Sequence, residues 1–170
     1  MNPNQRLFYS LLATLPAFVL KWQQRDWGTE ELQFLLYPVQ FLVQVFTGLP
    51  ARYVKDQGYL FEGFVIEKSC AGLNFLVITW CALAWLSTQN GRNWRVQIGA
   101  LLLSVPLTYG LCIAANTARI ISALWAMRVP GLHGAVAHES LGVVVYLFVL
   151  LLACSLFHHL LTHPKHAKLA

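Results

Sequence analysis

The chain has 170 residues, of which 57% are hydrophobic and only 11% charged, with a net charge of +5. Soluble domains carry about 25% charged residues, so this composition excludes a globule with the mixed polar surface that water demands. No basic run exceeds two residues, which sets nucleic acid aside in favour of positive loops against anionic lipid. Four cysteines without CxxC or ligand spacing exclude a disulfide framework.

The apolar residues come in blocks. In chain order these are 7–20, 32–49, 71–89, 96–118 and 141–161, each free of Asp, Glu, Lys and Arg. A helix needs about 20 such residues to cross a hydrocarbon core, and lipid offers the backbone no other partner. The blocks therefore predict an all-α polytopic membrane protein of about five transmembrane helices, a single integral-membrane domain over 1–170. The first block is the shortest. Lys21, Trp22 and Arg25 follow it without a small-x-small cleavage site, so an uncleaved anchor is expected rather than a signal peptide.

Between the second and third blocks, two β-rich runs flank the turn-forming cluster Asp56-Gln57-Gly58. This predicts a short interfacial β-hairpin leading into the third helix. The next connection is brief and holds Arg92 and Arg95; the last holds Arg119, Arg128, His133, His138 and Glu139. Arg92, Arg95, the Lys21/Arg25 loop and the Lys165/Lys168 tail are expected on the cytoplasmic side. The hairpin and, with five crossings, the N-terminus then face outward. One consequence is independent of sidedness. Cys70 starts the third helix, Arg119 follows the fourth and His138 precedes the fifth, so two traverses return all three to one membrane face.

Cys70 is the one cysteine at a polar boundary, in what reads as the first turn of a long helix, where the positive helix end favours the reactive thiolate. Its bland alternative is an inert cysteine at a helix end. Cys81, Cys112 and Cys154 lie inside apolar blocks and read as small hydrophobes. Arg119 is costly in an apolar run and needs a partner or a polar cavity; otherwise it snorkels to phosphates. Asn116, three residues earlier, shares its helical face. Together they suit a carbonyl oxygen turning negative. His138 is of the type that takes a thiol proton and returns it to a leaving amine, although a lone interfacial histidine often does nothing. Glu67 and Glu139 are supporting candidates, to orient the base or bind substrate. His158, His159, His163 and His166 read as solvated or lipid-facing.

Cys70-Ala-Gly72, Asn116-Thr-Ala-Arg119 and His138-Glu-Ser-Leu-Gly142 resemble, in order and membrane context, the three motifs of the exosortase/archaeosortase family. The resemblance spans about residues 50–161 and is greatest for the compact subclass called exosortase K; Ala71 departs from the serine of many relatives. It implies a cysteine transpeptidase or thiol protease with Cys70 as nucleophile and Arg119 and His138 completing a triad. Its partners would be membrane-anchored exported proteins with a C-terminal sorting signal, cleaved through an acyl-enzyme at the periplasmic face of a bacterial inner membrane. No metal or cofactor is implied. The residues alone leave another class open, a non-catalytic polytopic membrane partner or small transporter with a polar Arg/His pocket. A metalloprotease built on His133, His138 and Glu139 lacks the HExxH spacing.

Overall fold

A computed structural model of the chain describes residues 3–89, 94–127 and 135–162; the side chains of 3–6, 8, 94 and 135–139 lie outside the described set. Five α-helices alternate with one small sheet: α1 Pro3–Gln23, α2 Gln33–Thr47, β1 Arg52–Val54, β2 Gly58–Phe61, β3 Phe64–Ile66, α3 Leu73–Gln89, α4 Trp94–Ala126 and α5 Ala135–Thr162. Among the described residues, three helical stretches are long and apolar enough to cross a membrane: Lys68–Gln89, Arg95–Ala126 and Ser140–Thr162. α2 is apolar but has 15 residues, a rise of about 22 Å. α1 has 21 residues but carries Asn4, Gln5, Arg6, Lys21 and Gln23, and is less apolar than the three.

The centre of the bundle is α3 with α4. α1 packs on α3, α2 on α4, and α5 on both. Hydrogen bonds pin these contacts: Trp80 Nε1 donates to the Ala13 carbonyl at 3.0 Å, and Tyr109 Oη to the Phe34 carbonyl at 2.6 Å. On α2 the buried residues Leu35, Leu36, Val39 and Val43, with Leu32 at its N-cap, recur at helical spacing, the stripe expected of a helix with one face in a core. That stripe meets Tyr59, Phe61 and Ile66 of the sheet and Leu73, Phe75, Leu76, Cys112 and Ala115 of α3 and α4. Outward surfaces are as apolar as the interior: Leu102, Phe148 and Leu160 are each about two-thirds exposed (67%, 65% and 66%).

The sheet extends the expected hairpin. β1 pairs antiparallel with β2 in the register Arg52↔Leu60, Tyr53↔Tyr59, Val54↔Gly58, around the turn that holds Asp56 and Gln57. A further antiparallel strand, β3, follows β2 with Phe61 opposite Phe64. Only Glu62 and Gly63 join them, and Gly63, with φ of 91°, takes the positive-φ second position of this two-residue turn. Tyr59 Oη donates to Gln33 Oε1 at 2.6 Å and ties the sheet to α2. The sheet thus caps one end of the bundle, the end at which α3 begins.

Candidate active site

Cys70 does not lie in the first turn of α3. It sits in a separate 3-10 turn, Lys68–Ala71, with its N–H donated to the Glu67 carbonyl at 2.8 Å. Gly72 divides this turn from the helix. Its φ of 71° is left-handed, a conformation open to glycine at little cost. α3 opens only beyond it, where Leu76 N–H reaches the Gly72 carbonyl at 3.0 Å. A Cβ at Gly72 would also lie 3.2 Å from the Asn116 side chain and 3.3 Å from Cys112 Sγ. The glycine of the Cys-Ala-Gly motif is therefore both a hinge and a close approach to α4.

The turn is fastened to α4 from the other side. Asn116, fully buried, donates its side-chain Nδ2 to the Cys70 carbonyl. Cys112, one turn earlier and also fully buried, donates Sγ–H to the Gly72 carbonyl at 3.4 Å. One N–H of the Asn116 amide is thus engaged by the protein itself, at the backbone of the cysteine turn. An unpaired buried carbonyl is expensive, so the Asn–carbonyl bond fixes where the cysteine turn rests.

Arg119 does not follow α4 but lies within it; the helix continues to Ala126. The residues after Arg119, Ile-Ile-Ser-Ala-Leu-Trp-Ala, contain no helix breaker, so the end of the charge-free block marks a change in polarity, not the end of the helix. At about 50 Å for 33 residues, α4 is longer than a bilayer with its headgroups, about 45 Å at most. Arg119 is half-buried. Its Nη1 donates to Tyr146 Oη at 3.3 Å, and its guanidinium lies 5.5 Å from the centre of the Tyr146 ring. No carboxylate pairs with it among the described residues.

Tyr146 was not singled out by the sequence. Its hydroxyl donates to Asn116 Oδ1 at 2.7 Å while accepting from Arg119, and its ring stacks on Phe75 at 4.8 Å. One side chain of α5 therefore joins the residue that holds the cysteine turn to the residue that carries the charge. The signal was present in the spacing: Tyr146 lies one turn beyond Gly142 and two beyond His138 on one face of a helix. A buried tyrosine hydroxyl also needs a partner.

His138 is inside α5 rather than before it, in the first turn of Ala135–Thr162, and Glu139 follows it there. Both side chains, and all of His133, lie outside the described residues. What is described is the next residue on that face. A Cβ at Gly142 would lie 2.8 Å from Arg119 Nε and 3.2 Å from its Cδ, so the arginine side chain lies directly on the backbone of α5, one turn below position 138.

Two clefts flank Arg119. A small one of about 80 Å³ is lined by Cys70, Arg119, the three residues of β3 and the last turns of α4. A larger one of about 510 Å³ is lined by Glu67, Lys68, Gly72, Phe75, Arg119 and Tyr146 among others. Cys70 and Arg119 therefore do meet at one end of the bundle, as the two-traverse argument requires. Glu67 reaches the thiol through an intermediary: Ser69 Oγ donates to Glu67 Oε1 at 2.8 Å and lies 3.8 Å from Cys70 Sγ. A sulfur on one side of Arg119, a hydroxyl–carboxylate pair on the other, and a guanidinium with no carboxylate partner among the described residues are parts suited to acyl transfer. Compared with protein-family models, curated proteins and solved structures, the chain matches none.

Proposed function

We propose that this chain is a membrane-embedded cysteine transpeptidase or protease of the exosortase type, cleaving C-terminal sorting signals of exported proteins at the outer face of a bacterial inner membrane. The observation that carries the reading is the shared cleft of Cys70 and Arg119, in which the guanidinium has no carboxylate partner among the described residues. A half-buried cation without a counter-charge among the described residues favours negative charge arising beside it.

In this mechanism His138 removes the Cys70 proton, and the thiolate attacks the scissile carbonyl to form a C–S bond. Arg119 donates hydrogen bonds to the oxyanion; of its five N–H groups, one is given to Tyr146. Collapse breaks the C–N bond, the leaving amine takes the proton from the imidazolium, and the acyl-enzyme passes to an amine or to water. Ser69 and Glu67 stand beside the sulfur and orient the approach. Membrane-embedded helices accompany the reading. α1 at about 31 Å is long enough to cross. α2 starts at Gln33, bound to Tyr59 of the sheet, and only residues 48–51 separate its end from β1 of the same sheet, so the reading takes four crossings rather than five. The Lys21/Arg25 turn lies beside Lys68 at the Cys70 end, not opposite it as the charge distribution led one to expect.

The test is co-expression with membrane-anchored proteins encoded beside this chain that end in a short motif, an apolar helix and basic residues. The wild-type chain releases the tail and Cys70→Ala leaves it attached. Full release by Cys70→Ala, with Cys70 inert to thiol reagents in the wild type, favours instead a non-catalytic Arg/His pocket.

A further inference from the structure

Beside the larger Arg119 cleft, and sharing Gln24 and Lys68 with it, opens a second one of about 480 Å³ lined by Phe18, Lys21, Trp22, Gln24, Arg25 and Lys68. Three of its six residues are cationic. Neutral oxygens hold the two lysines in place. Lys21 Nζ donates to Asn74 Oδ1, and to Gln24 Oε1 at 3.1 Å; Lys68 Nζ donates to the Trp27 carbonyl, and to the Arg25 carbonyl at 3.4 Å. Each ammonium has three N–H groups, so each keeps one to give. The Arg25 guanidinium lies 5.5 Å from the Trp22 ring and has no hydrogen bond from its side chain among the described residues. Asp26, Glu31 and Glu67 lie on flanking turns, yet among the described residues none forms an ion pair with these three cations. Glu31 accepts from Gly28 N–H at 2.7 Å and feels Lys68 only as a weaker, longer-range charge.

From this arrangement we infer that the cleft binds a phosphate-bearing anion, and that its source is the headgroup of an anionic lipid. Three like charges held together by neutral acceptors repel one another, and a phosphate relieves that repulsion while taking the N–H groups left over. The lipid source follows from position. Lys68 opens the stretch Lys68–Gln89 that is able to span a membrane, so the cleft stands where hydrocarbon gives way to headgroups. Phe18 and Trp22 on its rim are exposed, at 65% and 74%, and an indole suits that interfacial level. The inference rests on the membrane placement and not on the thiol chemistry.

The experiment uses the full chain purified in detergent, with bound lipid counted by native mass spectrometry. Wild type is expected to retain one phosphatidylglycerol in preference to phosphatidylcholine. Changing Lys21, Arg25 and Lys68 together to Gln weakens that retention about ten-fold or more, and Lys21→Arg with Lys68→Arg preserves it. Arg25→Gln alone, a change at a side chain without a hydrogen bond in the fold, lowers retention about five-fold and reads the site even if the triple variant unfolds. Inorganic phosphate that displaces the lipid at equal concentration supports the site but assigns it to free phosphate. Equal retention of both lipids with no phosphate binding, or a folded triple variant that behaves as wild type, overturns it. A chain that does not fractionate with membranes would sink the membrane placement itself, which is a separate result.

Discussion

The side-chain amide of Asn116 on α4 donates to the backbone carbonyl of Cys70, 46 residues earlier in the chain. The same side chain accepts from Tyr146, so Asn116→Ala leaves the Cys70 carbonyl without this donor and the Tyr146 O–H without its acceptor. That is expected to cost about 1–3 kcal/mol and to lower the unfolding temperature in detergent. Asn116→Asp keeps the acceptor and loses the donor, and should fall between. Equal melting of all three proteins would show that this bond does not hold the turn.

Tyr146→Phe separates the hydroxyl from the ring. The stack on Phe75 and the aromatic face below Arg119 persist, while the link between Asn116 and Arg119 is cut. Processing of a sorting-signal reporter is expected to fall roughly ten-fold, with about 1–3 kcal/mol lost in stability because the buried Asn116 Oδ1 loses its donor. Wild-type processing by Tyr146→Phe would mean that the ring alone positions the guanidinium.

Gly142→Ala offers an unusual separation of stability from activity. Alanine is the better helix former by about 1 kcal/mol, so α5 should not weaken. The new methyl would lie 2.8 Å from Arg119 Nε, and the guanidinium must swing aside. Processing should therefore drop towards that of Arg119→Gln, which loses about 10²–10³ if Arg119 donates to the oxyanion. Unchanged processing by Gly142→Ala would place the working position of Arg119 elsewhere.

Four cysteines allow a test of which thiol matters. Cys70→Ala is expected to insert normally and to process nothing. Cys81→Ala and Cys154→Ala should match wild type. Cys112→Ala removes a buried sulfur that donates to the Gly72 carbonyl, so a loss of about 1 kcal/mol in stability with processing retained is the expected pattern. A requirement for Cys112 in a protein that still folds would move the nucleophile from 70 to 112.

Much of the scaffold was legible in the chain because polarity alone dictates it. Apolar block length located the helices, and Asp56-Gln57-Gly58 located the first hairpin turn. Glu62-Gly63 between aromatic runs was an equally good turn signal, and β3 follows from it. The site was less legible, because its connections are tertiary. Nothing local tells that Asn116 donates backwards to Cys70. Gly72 looked like a motif letter, and only its left-handed backbone shows that it separates Cys70 from α3. The charge at Arg119 ended an apolar block without ending α4, since helix propensity and hydropathy are different properties. Tyr146 carries no charge and sits in an apolar run, so a search for ionisable residues passes over it.

The fastening of the cysteine turn to Asn116 and Cys112 has a mechanical corollary. Both anchors stand on the same rod as Arg119, within two turns of it, so sulfur and guanidinium ride up and down together as one piece. If acyl chains of the surrounding lipid lengthen or shorten, the distance between them stays constant. Under the proposed function, what changes is the height of the pair against a bilayer-embedded substrate, so lipid thickness would select where a bound peptide is cut rather than whether sulfur and guanidinium meet.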